Sequence, residues 1–225
     1  MTNSQQIKRL VGIAILTALV VALQFLSNYV KFGPVEITLA LIPIAVGAVL
    51  YGPLAGAFLG AVMGGIVIAA PTTLAVFVPA NPAATIILCI LKTALAGFVA
   101  GWVYRGIAHF AKKAEDKKKK AIIALAITVA AIVIPVINTA IFILGALVFY
   151  MDVFGDFTTL VTAVITVNFA IEFAVSVVLS PAVVTIIKVS TTKYDLGFSN
   201  DFSSLHDEDV EDLDEVLEED IIKEA

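Results

Sequence analysis

From Ile37 to Leu91 the chain carries no Asp, Glu, Lys or Arg, an uncharged run of 55 residues. A stretch that long and apolar cannot be the core of a soluble domain of this size, so its solvent is a lipid bilayer. The rest of the chain agrees, with 225 residues that are 60% hydrophobic and only 15% charged. Such a chain has room for about six helices of roughly 20 residues with short connections, and none for a folded soluble domain. The expectation is an all-α integral membrane protein, a six-transmembrane-helix bundle over residues 1–190 followed by an acidic tail at 191–225.

Gly, Pro and clusters of charge punctuate the chain and set the span limits. The first span covers about 10–29. The second runs over 35–50 and ends where Tyr51, Gly52 and Pro53 force a tight turn, and the third follows over 53–70. An uncharged connection from Pro71 to Pro79 leads to a fourth span at 80–104. The basic segment through Lys112, Lys113 and Lys117 to Lys120 belongs in water, and spans five and six lie at about 121–150 and 158–187. With the N-terminus in the cytoplasm, six spans put Lys8, Arg9, Arg105, the lysine cluster, Lys188 and Lys193 inside, and only Lys31 outside. Both termini are therefore expected to be cytoplasmic. The first apolar segment follows Lys8 and Arg9 as a signal-peptide core would, but no small-residue cleavage site follows it, so it reads as a retained helix. The tail from Asp201 is dense in Asp and Glu, with Val210, Leu213, Val216 and Leu217 at near-helical spacing, and reads as a solvated segment.

Several chemistries are disfavoured. Both histidines, His109 and His206, fall in the expected cytoplasmic segments, and no His, Cys or Glu cluster has metal-ligand spacing. The lone Cys89 lies in an apolar segment and reads as packing. No Walker-type phosphate loop is present, so an energy source for transport has to come from a partner or an ion gradient. Neither an enzyme activity nor a cofactor is expected, and nothing points to nucleic acid.

Polar groups inside spans are costly unless paired, which makes each a functional candidate. They are Asn81 and Lys92 on span four, Asn138 on span five, and Asn168 and Glu172 on span six, with Glu36 at the outer end of span two. At a rise of about 1.5 Å per residue, Lys92, Asn138 and Asn168 fall in the outer half of the membrane or near its midplane. Asn168 and Glu172 share a face at i,i+4, and Asn81 and Lys92 share one about three turns apart. These groups either line one small-molecule pocket, or they serve structure, with a Lys92–Glu172 ion bridge and asparagines bonded to neighbouring backbone. Phe142 and Phe169 are candidates for stacking on a ligand. Small residues make a second pattern, with Ala14, Ala18 and Ala22 on span one and Gly56, Gly60 and Gly64 on span three. Both faces allow close backbone approach; the glycine face reads as packing within the chain.

Taken together, the Ala-x-x-x-Ala-x-x-x-Ala face, the segment GPVEITLALIPIAVGAVLYGPLAGAFLG from Gly33 to Gly60 and NPAATIILCILKTALAGFVAGWVY from Asn81 to Tyr104 resemble substrate-binding S components of energy-coupling factor (ECF) vitamin transporters. The resemblance covers about Leu10 to Lys188. It implies a six-helix membrane protein that captures a vitamin or precursor from outside, with Ala14, Ala18 and Ala22 facing a transmembrane T component that couples to two cytoplasmic ATPases. The region EITLALIPI lacks the Lys-Leu-Asp and Asp-Val-Pro pattern of riboflavin-type members, and GPVEITLALIPI looks closer to pantothenate-type and unassigned ones. A pantothenate carboxylate would suit Lys92, the basic residue within the membrane. The resemblance implies binding by outer loops and the later helices; the polar residues themselves suggest a site between spans four, five and six, with the Pro71 to Pro79 connection closing over it. The alternative reading is a self-contained ion-coupled secondary transporter that uses Lys92 and Glu172 as a coupled site, and a third is a non-transporting assembly subunit.

Overall fold

The computed structural model describes residues 3–27, 31–32, 35–36, 39–111, 116–162 and 169–192. These are helical almost throughout. Helix α1 (Asn3–Ser27) is followed by a two-residue antiparallel ribbon, β1 (Lys31–Phe32) and β2 (Val35–Glu36), which pairs Lys31 with Glu36 along the backbone. Then come α2 (Leu41–Tyr51), α3 (Pro53–Ile68), a π-helical stretch Thr73–Phe77 running into α4 (Val78–Ala80), α5 (Pro82–Ala111) and α6 (Asp116–Phe149). Two short helices, α7 (Met151–Phe154) and α8 (Phe157–Thr162), precede α9 (Ala170–Thr192).

Among the described residues α1, α5, α6 and α9 are long and apolar enough to cross a membrane. A fifth crossing exists if α3 and the Thr73–Ala80 segment, bent by 67° from it, count as one. The expected second span differs most. Its helix, α2, has 11 residues, about 16 Å of rise against a hydrocarbon core of about 30 Å. Glu36 lies ahead of that helix on β2. The expected connection from Pro71 to Pro79 is also corrected, because it is helical rather than a loop. With no water to satisfy its backbone, an uncharged segment beside lipid lowers its free energy by making its own hydrogen bonds.

Although short, α2 is the centre of the bundle. It packs against α1, α3, α5, α6 and α9, and all its residues except Ile42 are buried. Its end is fixed by Gly52, at φ +94°, with Pro53 opening α3. Two arginines converge there. Arg9 donates from Nη2 to the Tyr51 carbonyl at 3.1 Å, and the Arg105 guanidinium covers Gly52, where cations complement the negative end of the helix dipole.

The glycine stripe of α3 lies against α5. Gly56 meets the backbone of Gly97, Gly60 that of Thr93 and Gly64 that of Cys89, so the stripe packs within the chain as its sequence suggests. Pro181 deprives the Val177 carbonyl of its usual helical donor in α9, and the Ser180 hydroxyl donates to it at 2.9 Å instead.

Candidate functional site

The antiparallel helices fix which polar residues share a depth. Leu88 of α5 fills the space beside Gly145 of α6, so one turn further along each helix Lys92 reaches Phe142. There the Lys92 ammonium sits 5.1 Å from the Phe142 ring centroid, over the negative face of the ring. Asn138 is one turn beyond Phe142 on the same face of α6. On the other side, Ile127 of α6 and Val184 of α9 line one groove; eleven residues on along α6 is Asn138, and twelve back along α9 is Glu172. Lys92, Asn138 and Glu172 therefore lie within about a turn of one level.

That level is also where α2 begins. Ile44 packs beside Gly97, which places Leu41 next to the Lys92 turn of α5. The N-cap residue Ala40 has no side chain that could accept from the first-turn N–H groups, so the positive end of the helix dipole carries no side-chain cap. From α1 comes Gln24, one turn before Ser27, whose hydroxyl oxygen accepts the Leu39 N–H at 3.3 Å.

Two carboxamides at this level have unmet hydrogen-bonding capacity. Asn138 and Gln24 are 6% and 4% exposed, and neither side-chain oxygen has a hydrogen-bond partner among the described residues. A buried acceptor left unmet costs about 1–3 kcal/mol, which a ligand donor would recover. Glu172 is buried in the first turn of α9, where the dipole favours an anion.

An aromatic and hydroxyl cluster stands nearer the α5 N-terminus. Phe77, from the π-helical stretch, meets Phe142 and Tyr150 edge-on at 5.6 and 5.2 Å and lies 6.3 Å from Phe154. Thr85 directs its one hydroxyl proton at the carbonyls of Phe77 and Asn81, at 2.9 and 2.8 Å. The Tyr150 hydroxyl lies 2.6 Å from Thr85 Oγ1, a contact in which either oxygen can donate, and also donates to the Asn81 carbonyl at 3.4 Å. This cluster ties the 73–77 segment to α5 and α6 and ends, through Phe142, on Lys92.

The remaining sequence candidates are dispersed. Asn81 caps α5, its Oδ1 accepting the Ala84 N–H at 3.1 Å, about three turns from Lys92. Glu36 is described by its backbone alone, and Asn168 lies outside the described residues, as does the acidic tail. Phe169, just before α9, lies 5.5 Å from Phe173 of that helix with the rings tilted by 40°. Ala14, Ala18 and Ala22 are exposed along α1, whose buried side is Gly12, Val20, Gln24 and Ser27.

The sequence model of a family described as the ECF transporter substrate-specific component matches residues 8–184. The chain belongs to that family. It is thus a multipass membrane protein of transport, the component that recognises the substrate rather than a member of an enzyme class. No curated protein matches the chain. For an ECF substrate-specific component, a level that carries a cation, a buried acid and two unsatisfied carboxamides is suited to holding a small polar solute. Sequence reasoning missed Gln24, although the rule that singled out Asn138, a polar group in an apolar span, applies to it equally. It also missed Thr85 and Tyr150, whose pairing across 65 positions leaves no local signal.

Proposed function

We propose that this substrate-specific component captures a small water-soluble vitamin or vitamin precursor from outside the cell. It binds the solute in the outer half of a six-segment bundle with both termini cytoplasmic. It then passes the solute to a T component driven by two cytoplasmic ATPases. The observation that carries this reading is the unmet Asn138 oxygen, buried one turn from the ring that holds the Lys92 ammonium. A ligand with an anionic end and hydroxyl or amide donors would answer both. Pantothenate has that chemistry: a carboxylate for Lys92 and the uncapped start of α2, and donors for Asn138 and Gln24. Glu172 and Asn168 complete the proposed binding set at this level, Asn81 and Glu36 are proposed for the entry side, and Phe77 and the helical 71–79 segment close the outer side and exclude water, which strengthens the polar contacts. The exposed Ala14, Ala18 and Ala22 face is the proposed contact for the T component.

Thermal unfolding of the purified chain across a panel of water-soluble vitamins and precursors tests this. One strong stabiliser is expected, its effect falling at least tenfold in apparent affinity in Lys92→Ala. A panel without any stabiliser, or transport that continues without ATPase partners, would sink the reading in favour of ion-coupled transport by Lys92 and Glu172.

A further inference from the structure

At the lysine-rich end of the bundle, far from the level of Lys92, α6 and α9 part to leave a groove of about 200 Å³. Its walls are aliphatic, Ile123 and Ile127 from α6 against Val184 and Ile187 from α9, and Lys120 and Lys188 stand together at one end. From Lys120 to Ile127 the trough descends seven residues, about 10 Å along the helix axis and hence into the hydrocarbon layer. Its polarity is thus ordered along the membrane normal, with two cations at the surface end and only methyl and methylene groups below. We propose that this groove binds an anionic phospholipid, its phosphate between Lys120 and Lys188 and the upper part of one acyl chain along the Ile123–Val184 trough.

Shape and charge both favour a lipid over other occupants. A soluble anion would leave the aliphatic trough unfilled, and an acidic peptide would have to bring carboxylates below the headgroup level, where they are costly. A lipid presents its charge and its hydrocarbon in the order the groove requires. Lys118 and Lys119 add to the positive field at the same end without lining the groove. An intersubunit or partner role is not needed, since α6 and α9 of one chain supply both walls.

The test uses the full chain in a zwitterionic detergent, with lipid adducts counted by native mass spectrometry and Tm followed in parallel. Phosphatidylglycerol is expected to be retained and to raise Tm, phosphatidylcholine and glycerol phosphate to do so far less. Lys120→Gln and Lys188→Gln should each weaken retention about fivefold, as for one cation at an anionic headgroup, with Lys118→Gln as the control that leaves it within twofold. Lys120→Arg should restore it, which separates charge from folding. Equal retention of phosphatidylcholine would overturn the proposal, as would equal stabilisation by glycerol phosphate or an equal effect of Lys118→Gln. So would phosphatidylglycerol retention that appears only after residues 201–225 are removed, which would give the groove to the acidic tail.

Discussion

The Tyr150 hydroxyl lies 2.6 Å from Thr85 Oγ1, so the residue that follows α6 is bonded to the first turns of α5 across a buried site. Thr85 in turn holds the Phe77 carbonyl, and Phe77 packs on Tyr150 from the other side. Tyr150→Phe removes the bond with Thr85 and the long one to the Asn81 carbonyl but leaves Thr85 satisfied by carbonyls, which should cost about 1 kcal/mol. Thr85→Val leaves the buried phenol only its long 3.4 Å bond to the Asn81 carbonyl and removes the hydroxyl that donates to the Phe77 and Asn81 carbonyls, and should cost more, about 2 kcal/mol. Thermal unfolding in detergent ranks the two, and a Tyr150→Phe loss exceeding that of Thr85→Val would contradict the placing of Thr85 at the centre of this cluster.

The glycines separate into those that touch backbone and those that do not. Gly60→Ala drives a methyl into the Thr93 backbone and should force α3 off α5, costing several kcal/mol. Gly65 and Gly106 have open space where a Cβ would stand, so Ala there should be neutral or gain up to about 1 kcal/mol from helix propensity. Paired Tm measurements on the three variants check the contrast.

Asn138 should behave as a binding residue rather than a packing one. Asn138→Leu removes the unmet buried oxygen, so the empty protein should hold its Tm or rise while ligand affinity falls at least tenfold. A matching loss of Tm and affinity would show that Asn138 serves structure.

The alanine face of α1 makes a separable prediction. Ala18→Phe adds bulk on an exposed face of α1, so ligand-induced stabilisation should survive while co-purification with the T component is lost. Loss of both would place Ala18 in the bundle's own packing.

Asp156 gives a pH dependence outside the membrane. Its carboxylate accepts the Thr159 N–H and the Thr159 hydroxyl, both at 2.8 Å, and these bonds, the backbone one first, hold its pKa below the ordinary 3.8. A depressed folded pKa means that the stabilisation is present above pH about 3.8 and disappears as pH falls through the lower folded value. The protection factor of the Thr159 amide should therefore hold down to pH 4 and drop below it. In Asp156→Asn that acid-dependent drop should vanish; a drop that persists would assign it to another group.

Sequence and structure part at identifiable places. The apolar segments, their order and the turn at Tyr51, Gly52 and Pro53 were legible, because each depends on local composition. The glycine stripe was legible as an interior face, since only close packing rewards three glycines at i,i+4 spacing. The extent of α2 was not, because residues 37–50 are uncharged and apolar except for Thr38, and hydropathy carries no mark of where the helix begins. The 71–79 segment read as a connection for the opposite reason: prolines at both ends suggested a break, whereas the uncharged backbone between them closes its own hydrogen bonds.

Sequence by itself determined the medium and the family of this protein. A 55-residue uncharged run has one tolerable solvent, and the pattern over residues 8–184 is that of ECF substrate-specific components. The tertiary structure decided which polar groups meet. Depth on a helix follows from counting residues, but the partner at that depth depends on how neighbouring helices are offset, and that offset is set by backbone contacts such as Gly97 against Gly56 and Leu88 beside Gly145. Those contacts, between residues distant in the chain, bring Lys92 to Phe142 and leave the Asn138 oxygen buried and unanswered.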